Sequence, residues 1–220
     1  MNKNRIRLSR TDELATQSEA NKLNVFSNTG YQHGLTPIGK QQAFSVLNQL
    51  QSMGIQPKAI YSSPLKRAVE TAEIIAKGFE LPYEKTPELI EFSVGFLEGK
   101  SSDEDWYQFK LLWDEWFLNN NNSYQIEGGE SLTDVVTRVN SFLNRLKEVY
   151  QPEDILFLIG HGGTFKAILL FLDESVSRKS LRDTWLKHTN IVKIEMSKVI
   201  RSVIIYHTEN KKESDVFDTQ

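Results

Sequence analysis

Apolar and polar positions change period several times along the chain, and each change predicts an element. Ile6 and Leu8 alternate with polar residues, which predicts a first strand of about five residues. Thr36-Pro37 then places a capping hydroxyl before a proline at the first helical position. Ile38, Phe44, Leu47, Leu50 and Met53 follow with an approximate helical period. Residues 58–62 read as a strand, and Ser63-Pro64 repeats the cap-plus-proline signal for a helix from Leu65 to about Lys77. Trp106, Phe109, Trp113, Trp116 and Phe117 share helical spacing over 103–118, a stripe that favours core packing over a ligand-shaping lid. The asparagine run 119–122 ends it. Ser131, with Asp134 three residues on, opens a helix ending near Val149. Residues 155–159 form an unbroken apolar run, as in a parallel strand covered on both faces. Gly160-His161-Gly162-Gly163 turns into another helix, and strands are predicted at 191–196 and 199–207.

Alternating strands and helices predict an α/β fold of three layers, a mostly parallel sheet with helices on both faces. One domain is expected over 1–209, with a helical insertion at about 100–128 and a polar tail over 210–220. Ligands of such sheets bind beyond the carboxyl ends of the strands. Residues 62–67 and His161 with its glycines both fall there.

Composition narrows the function classes. A net charge of -3 with interspersed signs lacks the basic footprint of a nucleic-acid binder. The chain has no cysteine, which excludes disulfides and thiolate chemistry. Its start carries charges but no apolar segment, and the runs at 155–159 and 167–172 are too short for a bilayer. A soluble, cytoplasmic protein without membrane contact is expected. No cluster has metal-ligand spacing. Oligomeric state is left open, a homodimer among the options.

Five ordered phrases carry a further signal. They are Leu35-Thr36-Pro37-Ile38-Gly39 with Gln42-Ala43, and Tyr61-Ser62-Ser63-Pro64-Leu65-Lys66-Arg67-Ala68 with Thr71-Ala72. Leu89-Ile90-Glu91 with Gly95 and Glu98-Gly99 comes next, then Gly128-Gly129-Glu130-Ser131 with Arg138, and Ile159-Gly160-His161-Gly162-Gly163. In this order the set resembles the histidine phosphatase (phosphoglycerate-mutase-like) superfamily over about residues 17 to 170. The resemblance implies a phosphate pocket with two arginines and two histidines, one of which becomes phosphorylated, and a carboxylate that protonates the leaving oxygen. By that resemblance Arg67 grips phosphate oxygens, His161 is the second pocket histidine and Glu91 is the general acid or base. Arg10, Ser27 and Asn28 join Arg67 as substrate-binding candidates. No cofactor or metal is implied.

The departure lies at the start. The family opens with a strand ending in arginine-histidine-glycine. Gln17-Ser18-Glu19-Ala20-Asn21 followed by Phe26-Ser27 matches what comes after that motif, which sets Leu14-Ala15-Thr16 in its place. A second register keeps the strand and sets Arg10-Thr11-Asp12-Glu13 against it. Neither supplies a histidine, since the four histidines are His33, His161, His188 and His207. Three functions stay open: a nearly inactive protein binding a small anionic or phosphorylated molecule, a repurposed lyase or isomerase using Glu91 and His161 as an acid–base pair, and a phosphatase with a substitute nucleophile such as His33.

Overall fold

The computed structural model describes residues 4–10, 24–30, 32–151, 153–172, 176–183, 191–196 and 203–206. Strands β1 (Asn4–Arg10), β2 (Ala59–Ser62), β3 (Tyr83–Lys85), β4 (Ile155–Gly160), β5 (Ile191–Met196) and β6 (Val203–Tyr206) form one sheet in the order β3-β2-β4-β1-β5-β6. The first four of that order run parallel, while β5 and β6 add an antiparallel edge. β3 escaped the sequence reading because three residues, Tyr-Glu-Lys, carry no alternation. Such a short, charged segment suits a sheet edge.

β4 lies beside both β1 and β2, and its apolar run is sandwiched as predicted. Phe157 and Ile159 pack into a cluster with Leu50, Ile60 and Ile75, whereas Leu156 and Leu158 pack into one with Val139, Phe165 and Trp116. Alternate side chains thus enter opposite layers, as a period of two requires when both faces are covered.

On the first layer lie α1 (Pro37–Ser52) and α2 (Lys66–Gly78). Thr36 caps α1 as expected, its hydroxyl accepting the Gly39 N–H at 3.2 Å. The buried stripe of α1 differs from the predicted one. Gly39, Ala43, Val46, Leu47 and Leu50 face inward, while Ile38, Phe44 and Met53 are 50%, 53% and 41% exposed. The spacing 43, 46, 47, 50 keeps one helical face, and those three residues fall off it. Contrary to the expectation, Ser63 does not cap α2. Leu65 stands at the N-cap without a side-chain bond, and Pro64 precedes the helix.

The other layer holds α3 (Asp103–Phe117), α4 (Leu132–Val149) and α5 (Gly162–Leu172). The aromatic stripe of α3 is core, with Trp116 and Phe117 buried and the Trp113 ring stacked on Phe117 at 4.8 Å. Ser131 and Asp134 form the capping box predicted for α4. The short helix α6 (Arg178–Asp183) is tied to α3 through Arg182 Nε and Asp114 Oδ1 at 2.8 Å. The predicted tail at 210–220 lies outside the described residues, as do 199–202 and 207 of the last predicted strand.

Candidate functional site

The parallel register aligns three strand ends. Ser62 of β2 pairs with Ile159 of β4, and Arg10 of β1 pairs with Gly160. The residues that leave the sheet next to one another are therefore Ser63 and His161. The Ser63 N–H donates to the Ile159 carbonyl at 2.7 Å, which carries the β2 chain past its last sheet residue before it turns. There the Ser63 hydroxyl lies 2.7 Å from His161 Nε2, and both residues are fully buried. Four residues further, Arg67 occupies the first turn of α2 and is 5% exposed. A buried guanidinium at a helix N-terminus combines a permanent cation with the end of the helix that favours anions.

Glu91 reaches the same edge from a loop. It follows a single 3-10 turn, Pro87–Leu89, and its carboxylate covers the start of α5. Oε2 accepts the Gly163 N–H at 3.0 Å, and Oε1 accepts the N–H groups of Thr164 at 2.7 Å and Phe92 at 3.0 Å. The Thr164 hydroxyl lies 2.9 Å from Oε1 and 2.8 Å from the Ile90 carbonyl. Helix α5 needs glycine at 163 for this approach, because a Cβ there would run into the Phe92 ring and the Glu91 carboxylate. The structure thus brings Glu91 within two residues of His161 along α5, through backbone hydrogen bonds.

The segment bearing Glu91 is itself clamped. Arg138 donates from Nε to Glu130 Oε1 at 2.7 Å and from Nη1 to the Glu88 carbonyl at 2.6 Å. Glu130 Oε2 accepts the Ser93 N–H at 2.8 Å. These bonds give the phrase Gly128-Gly129-Glu130-Ser131 with Arg138 a physical reason beyond turn and cap. It holds residues 88–93 in place.

Ser27 and Asn28 sit in a loop fastened to the same segment. Asn28 Nδ2 donates to the Phe92 carbonyl at 3.0 Å, and the Asn28 N–H donates to Glu98 Oε2 at 3.0 Å. Ser27 is buried, and its hydroxyl has no hydrogen-bond partner among the described residues. Arg10 ends β1 opposite Gly160, which puts its backbone one position from His161 across the ladder. His33 is half-buried beside the first turns of α2, where Gly34 packs against Lys66 and Glu70. The alternative motif positions Leu14-Ala15-Thr16, and Thr11, Asp12 and Glu13, lie outside the described residues.

Two roles at this edge go beyond the sequence reading. Ser63 is placed by the sequence at this strand end but reads there as a cap, because a Ser-Pro pair before a helix carries that signal. Lys166, which no sequence signal singles out, is 5% exposed on α5 with its Nζ 5.3 Å from the centre of the Trp113 ring. Among the described residues, no three His, Asp or Glu side chains group as metal ligands, and no helix is long and apolar enough to cross a membrane.

Comparison with known proteins decides the family. Residues 16–203 match the histidine phosphatase superfamily, branch 1. The chain belongs to that superfamily. A 2,3-bisphosphoglycerate-dependent phosphoglycerate mutase of Bartonella henselae is 32% identical over 168 residues, covering 71% of this chain and 77% of that protein. Human 6-phosphofructo-2-kinase/fructose-2,6-bisphosphatase 1 is 30% identical over 157 residues, 70% of this chain. Of that human protein this chain spans only 31%, about a third of its length. In structure, a mycobacterial glucosyl-3-phosphoglycerate phosphatase superposes with a TM-score of 0.76 at 21% identity, covering 93% of this chain and 98% of that one. The histidine phosphatase fold predicted from the five phrases is therefore present. The family match starts at residue 16, beyond the end of β1 at Arg10.

Proposed function

We propose that this histidine-phosphatase-family chain binds a small anionic or phosphorylated metabolite at the carboxyl edge of β2 and β4, without ordinary phosphohistidine chemistry. In this reading Arg67 grips the anion, His161 hydrogen-bonds it, and Arg10, Ser27 and Asn28 complete the binding surface. The observation that carries it is the buried Ser63–His161 contact at the entry to the helix that bears Arg67, in a chain whose first histidine is His33. Phosphoryl transfer asks a protein mainly for position and positive charge, and those groups are retained. The nucleophile that divides the reaction into two easier steps is what the sequence lacks. Relatives named for small phosphorylated compounds support the ligand class. A single domain over 1–209 and a cytoplasmic setting belong to the same proposal.

The test has two arms. Inorganic phosphate or orthovanadate is expected to raise the melting temperature of the full chain. Turnover of a generic aryl phosphate is expected to stay orders of magnitude below that of an active relative. Ordinary turnover, with acid-labile phosphate trapped on His33, would overturn the reading in favour of a substitute nucleophile.

A second reading is favoured by one observation, the retention of Glu91 in a buried position next to the His161 turn. In a lyase or isomerase step these two groups would move a proton without a phosphoenzyme. Ligand-bound crystals separate the readings: a tetrahedral anion against Arg67 supports the first, and a carbonyl-bearing ligand against Glu91 supports the second.

A further inference from the structure

We infer that Ser63 is the positioning residue of the pocket histidine, its hydroxyl donating to Nε2 and so holding neutral His161 in the Nδ1-protonated form. The inference deepens the proposed function and rests on it only for its binding arm. Ser63 Oγ already accepts the Leu65 N–H at 3.3 Å, and it lies 2.7 Å from His161 Nε2. Both residues are fully buried, away from bulk solvent. A hydroxyl has one proton to donate, and a neutral imidazole has one donor and one acceptor nitrogen. If Nε2 carried the ring proton it would donate to Ser63, and the buried Ser63 proton would be left without an acceptor among the described residues. Stranding a buried donor shifts such an equilibrium roughly ten-fold or more. The hydrogen-bond network therefore assigns Nε2 as acceptor and Nδ1 as the nitrogen that carries hydrogen.

Nε2 cannot receive a phosphoryl group while the Ser63 bond stands, so His161 does not stand in for the missing nucleophile through that atom. Whatever His161 donates, it donates from Nδ1. Ser63 stands two residues before the N-cap of α2, and its hydroxyl faces the adjacent strand end. The positions of Ser63 and His161 are in turn fixed by the β2–β4 register and the bond from Ser63 N–H to Ile159.

The test is a two-bond proton–nitrogen correlation spectrum of the full chain labelled with 15N-histidine, with His161 assigned by comparison with His161→Gln. The expected pattern for His161 is an acceptor-type Nε2 and a protonated Nδ1. A protonated Nε2 in the unliganded protein overturns the inference, whatever the chain binds. Ser63→Ala is expected to mix the two forms and weaken phosphate binding roughly five-fold, and Ser63→Thr to restore both. Unchanged tautomer and affinity in a folded Ser63→Ala protein would also overturn it. If wild type binds no phosphate at all, the proposed ligand class fails while the spectrum still judges Ser63. If Ser63→Ala does not fold, the wild-type spectrum remains decisive.

Discussion

Helices α2 and α5 start at the carboxyl ends of the adjacent strands β2 and β4 and pack on opposite faces of the sheet, and their N-termini are finished in opposite ways. The first turn of α5 is closed by the protein's own carboxylate, Glu91, which takes the amides of Gly163 and Thr164. The first turn of α2 has no side-chain cap and carries a buried cation, Arg67. Both ends present N–H groups and the positive pole of a helix. Where Glu91 already supplies the negative charge, a phosphate would meet repulsion as well as occupied donors. Where Arg67 stands, an anion is favoured twice over. The contrast supports α2 as the anion-binding side, and it makes Glu91 a structural anchor whatever proton it handles. A third helix start, that of α4, is a surface version of the α5 arrangement: Ser131 and Asp134 close it with a reciprocal pair of bonds.

The largest expected effect tests the α5 end. Glu91→Ala leaves two or more buried amides without an acceptor, and about 3 kcal/mol of stability should be lost in urea unfolding. A loss under about 1 kcal/mol would mean that the carboxylate is dispensable to the fold and is kept for chemistry alone. Gly163→Ala comes next, at about 2 kcal/mol, because the added methyl enters space held by Phe92 and Glu91. Calorimetry of the folded variant reads it directly.

At the α2 end the effect should fall on ligand rather than fold. Arg67→Ala is expected to weaken phosphate or vanadate binding roughly ten-fold or more, and to abolish the thermal shift at matched concentration. An unchanged ligand response would move the anion away from α2 and break the comparison.

The smallest effect belongs to α4. Ser131→Ala should cost about 1 kcal/mol. The Asp134 carboxyl is held below its ordinary value, first by the Ser131 hydroxyl and then by the Ser131 N–H, against a weak opposing push from burial. A lowered value means that this stabilisation is complete above the ordinary aspartate range and is lost as pH falls through the lowered value. Asp134→Asn should accordingly flatten the acid side of the stability profile by a small amount. An identical acid limb in wild type and variant would show that the Asp134 charge contributes nothing measurable to the α4 cap.

Most element positions were legible because they follow from period and capping. Thr36, Ser131 and Asp134 behave as their local sequence predicts, and the apolar run in β4 is buried on both faces. Ile38 and Phe44 share the helical period yet lie off the buried stripe, because a loose period tolerates residues just beside it. Ser63 was misread because a cap and a partner for a distant histidine need the same side chain. The distance that distinguishes them spans 98 residues of sequence.

The chain by itself determined the family, the identity of Arg67, Glu91 and His161 as candidates, and the absence of any histidine before His33. These are matters of residue type and order, which local spacing records. Only the tertiary structure decided that Ser63 faces His161, that Glu91 closes α5, and that Glu130 and Arg138 brace the Glu91 segment. The first pairing depends on the β2–β4 register and the others on the packing of loops against helix ends, where long-range geometry decides which of several chemically equivalent partners a polar group meets.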